Sequence, residues 1–271
     1  MTAARTALAT TAAAALAAAA LAAASFAAAQ DTVAPRATAP PRDSLAALPF
    51  AVGEKLSYDV TLGGLGVGKA SMEITGWDTV QGHRVMHSYF QVKGGIPFFS
   101  VNDQLESWFD PHTMTAYRFI QRIKEGGYHP TRIYEFYPER ALYQKQGDTL
   151  RASVSDPLDD GSFFYFVRTI HLEVGRTYEF TRYFIPEKNP VIVKVLKRDT
   201  ITVKAGTFAT IMIQPIIKSG GVFADGGEAH MWLTDDDRHL LVQMKVKTKI
   251  PILNSLNLYL HAIDSQGDSA K

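Results

Sequence analysis

Cysteine is absent from all 271 residues. Its absence excludes disulfide staples, thiolate metal ligands and lipid attachment through a lipobox cysteine, so packing alone must stabilise the fold. Net charge is equally scarce, with 28 Lys and Arg against 27 Asp and Glu. Because the two signs are interspersed, neither nucleic acid nor an anionic membrane is expected as an electrostatic partner. Beyond the first residues no apolar run is long enough to cross a bilayer. His-Glu-x-x-His, His-x-His and Gly-x-Ser-x-Gly patterns are missing too, which removes the common signatures of zinc and serine hydrolases. The glycine-rich stretch 63–68 is followed by no helix N-terminus that would hold a phosphate, so it reads as a turn or bulge between strands.

Residues 1–29 carry one charge, Arg5, then a long Ala and Leu run ending in Phe26-Ala27-Ala28-Ala29. A basic start, an apolar middle and small residues at the end predict a secretory signal cleaved near Ala29 and a periplasmic destination. Without Arg5 the remaining 27 basic residues balance the 27 acids. Residues 30–49, rich in Pro and Ala, read as a flexible linker, and 266–271 as a frayed tail. The intervening 50–265 are enough for one domain with its own core.

Within that domain the signal has a period of two. Leu56-Ser57-Tyr58-Asp59-Val60-Thr61-Leu62 alternates apolar and polar residues, and similar texture recurs at 69–74, 83–92, 104–109, 116–124, 131–137, 141–146, 176–185, 191–202, 206–217, 228–233, 242–248 and 256–263. One helix is predicted at 161–171, capped by Asp159 or Asp160, with Phe163, Phe166, Val167 and Ile170 sharing a face. About a dozen strands with no helix between successive ones predict an all-β, predominantly antiparallel fold: a strongly curved sheet or incomplete barrel with one short helix.

Candidate chemistry is sparse. His83 and His87 lie about 13 Å apart if their segment is a strand, too far to share a metal ion. Asp235-Asp236-Asp237 lacks the spacing of a calcium loop and suits a hairpin turn. Glu106 with Asp110, and Asp156 with Asp159 and Asp160, are acid pairs whose facing cannot be read from spacing. No catalytic residue, metal site or cofactor is therefore expected. The apolar runs are more informative. Ile96-Pro97-Phe98-Phe99, Phe163-Phe164-Tyr165-Phe166, Tyr183-Phe184-Ile185-Pro186 and Ile250-Pro251-Ile252-Leu253 do not alternate, and in a curved sheet such segments plug the concave face or line a cavity.

Gly53-Glu54-Lys55-Leu56-Ser57-Tyr58-Asp59-Val60 with the glycines that follow, Asp103-Gln104-Leu105-Glu106-Ser107-Trp108-Phe109-Asp110, Asp156-Pro157-Leu158-Asp159, Val203-Lys204-Ala205-Gly206-Thr207-Phe208 and Met231-Trp232-Leu233-Thr234-Asp235-Asp236 occur in an order and spacing that resemble the bacterial domain of unknown function 3108. The resemblance implies an exported β-rich protein and no assigned activity. Its general look is similar to periplasmic half-barrels that shelter lipids or lipoproteins. The leading expectation is accordingly a non-enzymatic envelope protein with an apolar ligand in a concave groove lined by Trp108, Phe163, Phe166, Phe184 and Trp232. The alternative is an interaction module that docks an envelope protein through an edge strand or loop, with Phe98 and Phe99 as contacts. An enzyme would need polar groups to converge, for example Glu228, His230 and Asp235 beside Trp232.

Overall fold

The computed structural model describes residues 48–217, 229–247 and 255–264. The expected signal, all but the last two residues of the linker, Glu228, the run 250–253 and the tail 266–271 lie outside the described residues.

The elements are β1 (Lys55–Leu62), β2 (Leu65–Val80), β3 (His83–Ile96), β4 (Phe99–Phe109), β5 (Ala116–Arg122), β6 (Thr131–Tyr137), β7 (Leu142–Lys145), β8 (Arg151–Ala152), a helix α1 (Ser162–Thr169), β9 (Thr177–Phe180), β10 (Val191–Val203), β11 (Gly206–Ile216), β12 (Ala229–Thr234), β13 (Leu241–Lys247) and β14 (Ser255–Asp264). They form one fourteen-stranded sheet in the order β8-β7-β6-β5-β4-β3-β2-β1-β14-β13-β12-β11-β10-β9. Every pair is antiparallel, so the sheet is two meanders joined where β1 meets β14. The expected all-β class holds, and the sheet is not closed into a barrel.

Alternation creates the inner face. In β1, Leu56, Tyr58, Val60 and Leu62 are buried while the residues between them are half exposed. The same parity runs through Ala70, Met72 and Ile74 of β2. We call the end bearing the β1–β2, β3–β4, β5–β6 and β7–β8 turns the upper end, and the opposite end the lower.

Edge strands β8 and β9 do not pair; a strap bridges them instead. The Leu158 N–H donates to the Arg182 carbonyl at 2.6 Å, and the Phe184 N–H donates to the Leu158 carbonyl at 3.1 Å. Pro157 offers its carbonyl to Ala116 at 2.8 Å. Asp156-Pro157-Leu158-Asp159 is therefore the seam between the two ends of the sheet, joining the segment that follows β9 to the start of β5. The seam also explains why β9 stops at Phe180 rather than continuing to 185: Tyr183 and Phe184 leave the ladder to meet Leu158.

Helix α1 sits inside the curve. Asp159 caps it, accepting from the Gly161 and Ser162 N–H groups at 2.7 and 2.9 Å. The other carboxyl oxygen takes the Ser107 hydroxyl of β4 at 2.6 Å, which ties the helix to the sheet. Burial pushes the Asp159 carboxyl up to about 7 against these donors. The expected single apolar face is too narrow a description, because every residue from Ser162 to Arg168 is buried. Phe164 stacks on Phe90 at 5.3 Å, and Tyr165 meets the rings of Phe50 and Phe109 at 5.1 and 5.7 Å. A helix enclosed by a curved sheet has no solvent side, and its sequence is apolar nearly all round.

Candidate functional site

The five residues expected to line a groove do not share one surface. Phe163, Phe166 and Phe184 are in the main core. Phe166 meets Phe180 edge-on at 4.8 Å, and Phe184 is surrounded by Tyr134, Phe136, Tyr143 and Tyr183. Trp108 belongs instead to a small cluster with Val80, Val85 and Tyr117 on the opposite face of the sheet. There it stacks on His87 at 4.2 Å and donates its indole N–H to Asp78 at 2.9 Å. Trp232 lies between Met231 and Leu233, which both point into the core, and its own ring lies 6.2 Å from His230.

The polar groups that an enzyme would need are dispersed. His230, near the start of β12, and Asp235, just past its end, are about 17 Å apart at strand rise, and Asp235 pairs with Arg198 at 2.7 Å. Asp236 organises the β12–β13 turn by accepting from the Thr234 hydroxyl and from the Arg238 and His239 N–H groups. Glu106 binds His87 and Arg122. Among the described residues no group of three His, Asp or Glu is arranged to hold a metal ion.

The lower end is sealed by a residue that sequence reasoning passed over. Arg168, on the last turn of α1, is completely buried. Its guanidinium grips Glu54 through two bonds of 2.6 and 3.0 Å and donates to the Pro49 and Arg238 carbonyls at 2.6 and 3.0 Å. The faces of Phe50 and Tyr165 flank it at 5.5 and 5.8 Å. The chain entering β1, the plug helix and the β12–β13 turn are thereby locked together.

The concave wall changes character toward the upper end. Around the helix most of its side chains are fully buried, but Phe90 of β3, on which Phe164 stacks, Val92 of β3, Leu105 of β4 and Tyr134 of β6 are only half buried, although they pack against the same core. Phe90 faces Met72 and Leu105 across the ladders, and Val92 faces Ala70, which puts all three on the inner surface. Two acids lie beside them. Asp103 faces Val92, and Glu125, in the β5–β6 turn, bridges to Val101 and is 5% exposed. Burial, reinforced by the charge of Asp103 and a hydrogen bond between the two carboxyls, pushes Glu125 up to about 8; burial also raises Asp103, against the Lys124 N–H that it accepts at 2.9 Å.

That pair yields a signed expectation. An unfolded Glu ionises near 4.5, whereas the folded one keeps its proton to about 8. The folded state thus holds more protons in this window, and the pair's contribution to stability falls as pH rises through it. Glu125→Gln cannot titrate. Its urea midpoint should fall less than the wild-type midpoint between about pH 5 and about pH 9, and parallel profiles would refute the assignment.

The sequence model of "Protein of unknown function (DUF3108)" matches residues 57–260. The chain belongs to this family. No curated protein matches it. Among solved structures, a β-barrel-like protein of domain of unknown function DUF1849 from Brucella abortus superposes with a TM-score of 0.51 at 10% identity, covering 79% of this chain and 98% of that one. It shows that the DUF3108 chain shares the barrel-like fold. A candidate lipoprotein from Parabacteroides distasonis (TM-score 0.33, 9% identity, 79% of this chain and 96% of that one) and a candidate exported protein with a YmcC-like fold from Bacteroides fragilis (0.32, 8%, 80% and 98%) are more distant, too loosely matched to support a statement about DUF3108. Among the described residues no helix is long and apolar enough to cross a membrane.

Proposed function

We propose that the mature protein is exported to the periplasm, catalyses no reaction, and holds an apolar molecule such as a lipid acyl chain against the upper part of its concave wall. The observation that carries this reading is that Phe90, Val92, Leu105 and Tyr134 on the inner surface are only partly buried, beside a floor of buried aromatic side chains. A wall of this kind leaves apolar area in water that a greasy ligand would cover, at about 25 cal/mol per Å². Phe163, Phe166 and Phe184 enter the proposal as the packed floor and its surround. Export rests on the leader-like residues 1–29.

Displacement of an environment-sensitive fluorescent fatty acid tests the wall directly. Leu105→Gln should weaken probe binding about tenfold, the cost of putting an amide where one apolar contact was, while thermal unfolding shows that the variant is folded. Wild-type-like probe affinity in a folded Leu105→Gln protein would remove the wall from the account. The second reading, a module that docks a protein, is favoured by one observation: Phe98 is fully exposed.

A further inference from the structure

Four of the large apolar residues that face solvent sit at the upper turns of the β1–β8 meander; Trp77 near the lower end of β2, Val174 and Leu196 are exposed elsewhere. Each upper turn of the β1–β8 meander carries one: Leu65 beside the β1–β2 turn, Phe98 between β3 and β4, Tyr128 between β5 and β6, and Leu150 between β7 and β8. The lower turns of the same meander carry none; they are Gln81-Gly82, the Asp110 to Thr115 turn with Met114 buried, and Pro138-Glu139-Arg140. Three of the upper turns are neighbours in space. Gly68 faces Gly94 across β2 and β3, and the Gly126 N–H donates to the Ser100 carbonyl at 2.9 Å.

Phe98 is the most exposed of the four, at 103%, and its backbone has φ of +70°. Bulky side chains avoid that region, where glycine is at ease. The two-residue Pro97-Phe98 turn calls for positive φ at its second position, and a phenyl ring held out in water there adds no packing that glycine would lack. Charge points to the same face. Lys93 and Lys124 are exposed beside these turns, the nearby acids Asp103 and Glu125 face the wall or are buried, and the half-buried Asp148 is paired by Lys145 and Arg151.

We propose that the upper turns dock the protein on a lipid bilayer, with Phe98 and Leu65 as prongs that enter the acyl boundary and the lysines meeting phosphate headgroups. Separate prongs on successive turns need no shape-matched partner, which a fluid bilayer does not offer and a protein surface would. The proposal rests on the lipid-holding reading of the concave wall and adds its route: a chain leaving the bilayer at these turns would reach Val92 and Leu105 past Val67 and Phe99, which pack against the core there.

Flotation of the mature protein with vesicles of phosphatidylethanolamine and phosphatidylglycerol tests it. Wild type should float with them, and Phe98→Gly, which relieves the backbone and therefore folds at least as well, should bind about tenfold less. Leu65→Ser should weaken binding as well. Phe98→Gly binding as tightly as wild type, or no flotation of wild type, overturns the docking proposal. Capture of a protein but not of vesicles through Phe98 overturns it in favour of a protein partner. Failure of the docking is separable from failure of the ligand reading, because Phe98→Gly keeps the Leu105 wall and should still bind the fluorescent fatty acid, whereas Leu105→Gln should still float.

Discussion

Replacing Arg168 with Met should destabilise the protein by about 3–5 kcal/mol, because removing one partner of a buried ion pair strands the other. Glu54 has 14% of its side chain exposed and would lose both guanidinium bonds. The Pro49 and Arg238 carbonyls would lose their donor in the same step. Met fills similar volume, so the loss is electrostatic and of hydrogen bonds rather than a cavity. A shift of this size lowers the midpoint of thermal unfolding by on the order of 10 °C in a domain of this length. The double variant Glu54→Gln, Arg168→Met should recover part of it, since the leftover amide carries no charge. Arg168→Lys should not recover fully, because an ammonium cannot reproduce the fork that reaches Glu54 and two carbonyls. If Arg168→Met unfolds at the wild-type urea midpoint, the lower end is not sealed in the way described.

Gly94→Ala is the second large effect, and it acts at the other end. A Cβ on Gly94 would lie 2.2 Å from the Val67 carbonyl oxygen and 2.7 Å from the Gly68 Cα, all backbone atoms that cannot swing aside. Gly68 has the reciprocal problem, with the Lys93 carbonyl oxygen at 2.4 Å. The two glycines face each other across β2 and β3 and let the strands approach closely where the upper wall bends. Any side chain forces the ladder apart, at a cost of about 2–3 kcal/mol or more. Gly66→Ala is the matched control: it lies in the facing strand β2, two residues from Gly68, but its Cβ would meet nothing within 4 Å. Urea unfolding should therefore separate the two variants, with the Gly94 variant alone displaced and its β2–β3 amides exchanging faster.

Residue alternation made most strands readable, because a half-buried sheet imposes period two on its own sequence. β1, β6, β10 and β11 lie within a residue or so of their expected positions. The non-alternating runs were informative for another reason: none of the three described is an ordinary strand. Ile96-Pro97-Phe98-Phe99 is a hairpin tip, Phe163-Phe164-Tyr165-Phe166 the plug, and Tyr183-Phe184-Ile185-Pro186 the strap at the seam. What could not be read was which face a side chain takes where apolar residues follow one another. Trp108 and Trp232 take the outer face beside the inward Phe109 and Leu233, and nothing in adjacent large apolar residues says which of them turns inward; the neighbouring bulges place their extra residues, Tyr117 and Val242, in the partner strands. Arg168 was invisible for a different reason. Its partners lie 114, 119 and 70 residues away, and no local pattern marks a cation that will be buried by its contacts. The Asp103 and Glu125 carboxyls face each other only because the β5–β6 turn folds back on β4.

The central claim is that the upper concave wall holds an apolar molecule. Native mass spectrometry of the mature protein recovered from its own envelope tests it most directly, followed by solvent extraction of whatever is carried. The account predicts a bound species in the mass range of a membrane lipid, released as such on extraction and absent from the Leu105→Gln protein prepared in the same way. A wild-type protein that flies at its bare polypeptide mass and yields no extractable lipid would contradict it.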